Sequence, residues 1–249
     1  MTARSTPPSA APESAPAPAL PVGLNPALAL ALLQQAGREP PTGEPGSAAW
    51  LQGLIDALVD LSSRDPLTGL ANRRNFELAL AREIDRVARA GEPALLLIVD
   101  IDHFKAVNDN HGHPAGDAVL RAVAKELART VRPMDLVARI GGEEFAIVLP
   151  NCASAFGPQV AGRLRARVAR TVVDIAPGQS LSVTVSIGGA FAPQWVRSTS
   201  ALWMERADQQ LYRAKQSGRD RVCLEPTASG QVTAEERVLL FGTASQETE

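Results

Sequence analysis

The sequence predicts an α+β domain with a ferredoxin-like βαββαβ core and extra helices, preceded by N-terminal helices. Three observations carry this. Residues Ala94–Asp100 (ALLLIVD) are an unbroken apolar run, the mark of a central strand covered on both faces. Two β-rich runs, Asp135–Ile140 and Glu143–Leu149, flank Gly141-Gly142 as the arms of a hairpin would. Segments of helical period alternate with these strands in the order βαββαβ, with one helix before the core and one late in it.

Residues 1–22 are mostly Ala, Pro and Ser, and cannot bury enough surface to offset chain entropy, so a disordered tail is expected. Residues 23–64 form a helical segment with a linker. Asn25 as N-cap and Pro26 at the first helical position start a short helix over residues 25–36, which the run GREPPTGEPG (37–46) breaks. From Ser47 to Ser63 the pattern is helical again. Leu51, Leu54, Leu58 and Leu61 form a stripe that Ile55 and Val59 widen. Such a helix can pair two chains or pack onto its own domain.

The compact domain is expected over residues 65–224. Arg73–Ala90 reads as a helix ended by Gly91, and Pro114–Val131 as a second. Ala153–Ile175 is expected as a helix, Ser182–Phe191 as a strand, Thr199–Ser217 as a helix and Arg221–Leu224 as a last strand. Residues 225–249 are a polar tail with one helical pattern, Ala234–Leu240.

Composition narrows the function. The chain has 249 residues, 45% of them hydrophobic, enough for one full domain with extensions. A net charge of -2 gives no basic field for nucleic acid, so no nucleic-acid partner is expected. The two cysteines, Cys152 and Cys223, make neither a disulfide framework nor a metal-ligand spacing. No apolar run is long enough to span a membrane, and the N-terminus is a poor signal peptide. A cytoplasmic protein with no membrane partner is expected.

Three groups carry chemistry. Asp100-Ile101-Asp102 ends the apolar strand, where side chains meet in clefts and can share a hard cation; solvated loop acids are the plainer alternative. Glu143-Glu144 follows Gly141-Gly142, whose bare backbone lets a phosphate approach closely. Acids on a hairpin beside acids at a strand end suit metal-assisted phosphoryl chemistry. Lys215 and Arg219, four apart near the end of a helix, and Lys105 beside the first acids, are cations suited to a polyphosphate. Ordinary C-terminal helix charge would also explain the first two.

These residues resemble the GGDEF-domain diguanylate cyclases. The name motif stands as Gly141-Gly142-Glu143-Glu144-Phe145, a GGEEF variant. The resemblance extends to Asp65-Pro66-Leu67-Thr68-Gly69-Leu70-Ala71-Asn72-Arg73-Arg74 and to Asp100 through Lys105. It continues through Asn108-Asp109, Gly112 to Asp117, Thr184 to Gly188, and Ala207-Asp208 through Tyr212, Lys215, Gly218 and Arg219. It implies a nucleotide-cyclase, palm-like fold and a Mg²⁺-dependent enzyme, with Mn²⁺ as a substitute, that condenses two GTP into cyclic di-GMP for bacterial signalling. By resemblance, Asp100, Glu143 and the Ile101 carbonyl hold the metal, with Glu144 a further ligand. Either glutamate helps deprotonate the attacking 3′-hydroxyl, and Lys105 stabilises the transferring phosphate. Lys215 and Arg219 hold the β- and γ-phosphates. Asn108 and Asp117 read guanine, and His113 lines that pocket. Gly141 and Gly142 lie against the substrate.

The family also implies a homodimer, since each domain binds one GTP. It implies an inhibitory product site at Arg132-Pro133-Met134-Asp135, five residues before Gly141. A second arginine, Arg163, is expected to complete that site. A silent cyclic di-GMP sensor and a cyclase of relaxed base choice are the rival readings; the intact acids and cations oppose the first, Asp117 the second.

Overall fold

The computed structural model describes residues 25–192 and 198–226, so the expected N-terminal tail and the Ala234–Leu240 pattern lie outside the described residues. The chain divides after Ser63 into two units. The first holds α1 (Ala27–Gln35) and α2 (Ala48–Ser63). Ser47 Oγ accepts from the Trp50 N–H at 3.2 Å and caps α2, whereas α1 opens one residue later than expected, with Pro26 at its N-cap position and the Asn25 side-chain oxygen accepting from the Ala27 N–H at 3.0 Å. Leu33, Trp50 and Leu54 are buried together, with Leu51, Leu58 and Leu61 packed around them. The leucine stripe therefore faces its own helix pair, while Ile55 and Val59 are exposed.

The second unit runs α3 (Arg73–Ala90), β1 (Ala94–Ile101), α4 (Phe104–His111), α5 (His113–Thr130), β2 (Leu136–Arg139), β3 (Glu144–Pro150), α6 (Gly157–Ala169), β4 (Val172–Ala176), β5 (Gln179–Ser182), β6 (Val185–Phe191), α7 (Ser200–Gln216) and β7 (Val222–Leu224). Five strands form one sheet in the order β2-β3-β1-β6-β7, with β1 antiparallel to both β3 and β6. The first four strands realise the ferredoxin-like order, and β7 adds a parallel edge to β6.

Strand β1 is central and wholly buried. Its period of two splits the core. Leu95, Leu97, Val99 and Ile101 pack with Val119, Val123 and Leu127 of α5 and Leu164 and Val168 of α6. Leu96 and Ile98 pack with Phe76, Leu80 and Val87 of α3 and Trp203 and Leu211 of α7. Helices on both faces explain why β1 reads as a continuous apolar run rather than an alternating one. Deleting one such side chain to alanine costs about 2–5 kcal/mol.

The structure corrects three expectations. The helix placed over Ala153–Ile175 ends at Ala169, and residues 172–182 form the separate hairpin β4–β5. Thr171, Val172 and Val173 are β-branched and Pro177-Gly178 is a turn, with Gly178 at φ 73°, so local chemistry favours strands there. An extra helix, α4, fills the connection after β1. Finally, the Gly141-Gly142 turn is longer than two residues. Arg139 pairs with Phe145, and the Ile140 and Gly141 N–H groups both donate to the Glu144 carbonyl, at 2.9 and 3.3 Å.

Candidate active site

Strand parity places Asp100 on the β1 face of Leu96 and Ile98, the face that α7 covers. There Lys215 Nζ, in the last turn of α7, lies 2.8 Å from Asp100 Oδ2. Asp100 is 4% exposed and stands opposite Glu144 of β3 and Ser186 of β6. Thus the strand-end acid, the hairpin acid and the helix-end cation, 115 positions apart at the extremes, are brought together.

The hairpin tip is fixed to this strand end, since the Ile101 N–H donates to the Glu143 carbonyl at 3.3 Å. Neither glycine at the tip has a positive φ, so their use is room, not backbone freedom. A Cβ on Gly141 would sit 2.5 Å from Glu144 Oε2, whereas Gly142 faces open space. A second tie comes from Arg139, which donates to the Gly142 carbonyl at 2.8 Å and to both Asp65 oxygens at 3.2 and 3.3 Å. Burial pushes the Asp65 carboxyl up, but hydrogen bonds from Thr68 and the Arg139 charge outweigh it, and its pKa lies below the usual value. The segment opening at Asp65 thereby braces the Gly141-Gly142 loop. Sequence reasoning gave Asp65 only as part of a motif and did not single out Arg139; its place two residues before Gly141 was the available signal.

The electrostatics suit a hard cation. Burial raises the Asp100 pKa, Lys215 pulls it down, and Glu144 and Asp102 push it up further. Burial also raises Glu143, with Asp100 and Glu144 adding repulsion against the pull of Lys215. Three carboxylates (Asp100, Glu143, Glu144) and one ammonium leave two excess negative charges. Among the described residues no three His, Cys, Asp or Glu side chains form a ready metal cluster. The donors that Asp100 and the hairpin acids offer are carboxylate oxygens, the class that hard divalent cations take.

Asp102 behaves differently from Asp100. Both its oxygens are occupied: Oδ1 accepts from Ser186 Oγ at 2.6 Å, and Oδ2 from Thr184 Oγ1 at 2.6 Å and the Asp220 N–H at 3.0 Å. Protein donors thus engage both Asp102 oxygens, whereas Asp100 faces Lys215 and the hairpin acids. Beyond it, His103 takes a left-handed φ of 58° and opens α4, on which Lys105 is exposed.

Helices α4 and α5 meet at Gly112, whose φ of 81° makes the sharp bend between them. A Cβ on Gly116 would lie 2.0 Å from Asn108 Oδ1, so only glycine lets the Asn108 amide reach α5 beside Asp117. Asp117 is half-exposed and only loosely paired with Arg121 at 3.8 Å. His113 is exposed at the start of α5. The two residues expected to read a base and the histidine expected to line its pocket thus lie on one helix–turn–helix corner.

Arg132 and Asp135 close on one another. Arg132 donates to Asp135 through its N–H at 2.8 Å, Nε at 3.2 Å and Nη2 at 2.8 Å, and also to the Pro150 carbonyl at 2.8 Å. The Asp135 side chain is 2% exposed beneath it. Arg163 of α6 donates to the Thr130 carbonyl at 3.3 Å, two residues from Arg132.

A sequence model of the family described as "Diguanylate cyclase, GGDEF domain" matches residues 62–221. The chain is 46% identical over 158 residues to the diguanylate cyclase DgcP of Pseudomonas aeruginosa, covering 64% of this chain and 23% of that protein. The GGDEF domain of DgcB from Caulobacter crescentus, solved in complex with c-di-GMP, is 36% identical. It aligns with a TM-score of 0.62, covering 66% of this chain and 93% of that one. An active GGEEF domain of a diguanylate cyclase from Vibrio cholerae is 31% identical with a TM-score of 0.59, covering 64% and 99%. The chain spans less than half the length of the first curated relatives that it matches.

Proposed function

The chain belongs to the GGDEF family of diguanylate cyclases, and on that premise we propose that it joins two GTP molecules into cyclic di-GMP, releasing two pyrophosphates, in bacterial second-messenger signalling. The observation that carries the proposal is the meeting of Asp100, Glu143, Glu144 and Lys215 at the open Gly142 backbone. GGDEF cyclases generally use divalent cations. In this chain Asp100, Glu143, the Ile101 carbonyl and Glu144 would hold Mg²⁺, or Mn²⁺ in its place. Such an ion supplies charge neutralisation at the reacting phosphate.

The protein's own groups do the rest. Lys215 and Arg219 grip the β- and γ-phosphates, which leave as pyrophosphate. Lys105 faces the charge that grows on the α-phosphate, where neutralisation matters more than covalent help. One of Glu143 and Glu144 accepts the proton of the incoming 3′-hydroxyl. Asp117 accepts from the N1–H and 2-amino groups of guanine, a donor pair that adenine lacks, and Asn108 holds the base from α4. Each domain offers one GTP, so two domains of a homodimer face each other for reaction. Cyclic di-GMP inhibits by binding at Arg132, Asp135 and Arg163, opening the Arg132–Asp135 pair to do so. No helix among the described residues is long and apolar enough to cross a membrane; the proposed setting is the cytoplasm.

Base choice tests the substrate. With GTP and ATP in competition, the parent protein should consume GTP, and Asp117→Ser should narrow the ratio of specificity constants about 5- to 150-fold, as losing two matched hydrogen bonds requires. An unchanged ratio would remove Asp117 from the base site.

A further inference from the structure

We propose that Asp102 is a positioning residue. It holds the Ser217–Arg221 turn, and with it Arg219, at the phosphate end of the site. The proposal rests on the reading of Arg219 as a phosphate ligand. Two residues from Asp100, a buried carboxylate would be the obvious next cation ligand. Its hydrogen bonds say otherwise, since its oxygens accept from Thr184 just before β6, from Ser186 of β6 and from Asp220 in the turn after α7.

The turn is unusual. Gly218, Arg219 and Asp220 take left-handed φ values of 108°, 59° and 44° in succession. Non-glycine residues keep that conformation only where their surroundings impose it. Two clamps do so. Asp102 Oδ2 accepts from the Asp220 N–H at 3.0 Å, and Arg165 of α6 donates to the Asp220 carbonyl at 3.1 Å and to Oδ1 at 2.8 Å. Asp102 is itself locked to the sheet: its N–H donates to the Thr184 carbonyl at 2.9 Å, and the Thr184 and Ser186 hydroxyls donate to its two oxygens at 2.6 Å each. Immediately beyond, the Ile187 N–H donates to the Arg221 carbonyl at 2.9 Å, which starts the pairing of β6 with β7. The Arg219 backbone is thereby fixed to the strand that carries Asp100. Its side chain is exposed, and among the described residues it makes no ion pair. A carboxylate suits this post because every partner is a donor, and charge-assisted bonds to it are strong.

The test separates positioning from plain stability. Binding of α,β-methylene-GTP and of GMP, each with Mg²⁺, is measured by calorimetry on the full chain. Asp102→Ala should weaken the triphosphate about tenfold and GMP less than about twofold, as expected for the loss of one charge-assisted contact to a group that GMP lacks. Asp102→Asn should recover most of the loss, because its amide can turn its NH₂ toward Ser186, whose hydroxyl can reverse and accept. In an Arg219→Ala background, Asp102→Ala should add nothing. Equal weakening of both nucleotides, or a fully additive effect with Arg219→Ala, overturns the proposal. Amide hydrogen exchange keeps it testable if the alanine variant does not fold: the Asp220 N–H of the parent protein should be protected, and rapid exchange there overturns the tie. If Arg219→Ala itself binds the triphosphate like the parent, the phosphate assignment beneath the proposal fails, and a protected Asp220 amide identifies that as the fault.

Discussion

Asp100 and Asp102 are identical in type and equally buried at 4% exposure, one in β1 and one just past its end, yet their surroundings differ. What separates them is the supply of donors. Asp102 meets two hydroxyls and a backbone N–H; Asp100 meets one ammonium and two further acids. No spacing rule distinguishes such a pair in sequence, because the donors come from Thr184, Ser186 and Asp220, more than 80 positions away. The charge excess around Asp100 has a measurable sign. Burial and neighbouring acids raise the pKa values of Asp100 and Glu143 in the folded chain. A carboxyl raised on folding favours the fold while protonated. That contribution is complete below the unfolded value, about pH 4, and is lost as pH rises through the folded one. A divalent cation bound by the ionised forms offsets the loss and competes with protons. The gain in melting temperature on adding Mg²⁺ should therefore be larger near about pH 7 than near about pH 5. A gain independent of pH in thermal melts would remove these two carboxyls from the cation site.

At the scale of elements, the sequence was legible where one force dominated. The β1 run, the α3 helix ended by Gly91, and the two arms of the Gly-Gly hairpin all read directly from apolar pattern and punctuation. The β4–β5 hairpin did not, because no glycine or proline interrupts the chain between α6 and Ala176, and its marks are only the β-branched Thr171-Val172-Val173 and the Pro177-Gly178 turn. Helix α4 escaped because eight residues hold too few apolar positions to set a period. The brace behind the Gly-Gly loop was also hidden, since Asp65 and Arg139 meet only once the sheet has formed. Arg139 and Asp65 are each 16% exposed, so their pair is screened far less than a surface one. Arg139→Ala should cost about 1–3 kcal/mol of stability and loosen the loop that carries Glu143. Arg73→Ala, breaking an exposed ion pair with Glu77, should cost less than about 1 kcal/mol. Urea unfolding of the two variants checks this; equal losses would show that the Asp65–Arg139 contact contributes no more than a surface pair.

At the scale of the whole molecule, the proposed reaction needs two copies of the domain, and the proposed control acts by holding them in the wrong relation. The product site and the acids at Asp100 and Glu143 are separate sets of residues, so product affinity and the equilibrium between active and inactive arrangements must be linked if both readings hold. Arg132→Ala should leave early turnover near that of the parent and abolish the slowing that follows accumulation of cyclic di-GMP. Continued inhibition of this variant by added product would reduce Arg132 and Asp135 to the closed surface turn that their mutual hydrogen bonds already describe. All of this depends on the reaction itself. The most direct measurement strips bound cyclic di-GMP from the purified full chain, incubates it with GTP, ATP and Mg²⁺, and identifies the products by mass spectrometry, with Glu143→Gln as the control. The proposed reaction requires cyclic di-GMP and pyrophosphate from the parent protein, with no adenine-containing dinucleotide, and neither product from Glu143→Gln, whose metal-free melting temperature should be no lower than the parent's because burial and neighbouring acids oppose the Glu143 charge. Absence of cyclic di-GMP from the parent protein, or undiminished synthesis by Glu143→Gln, would contradict it.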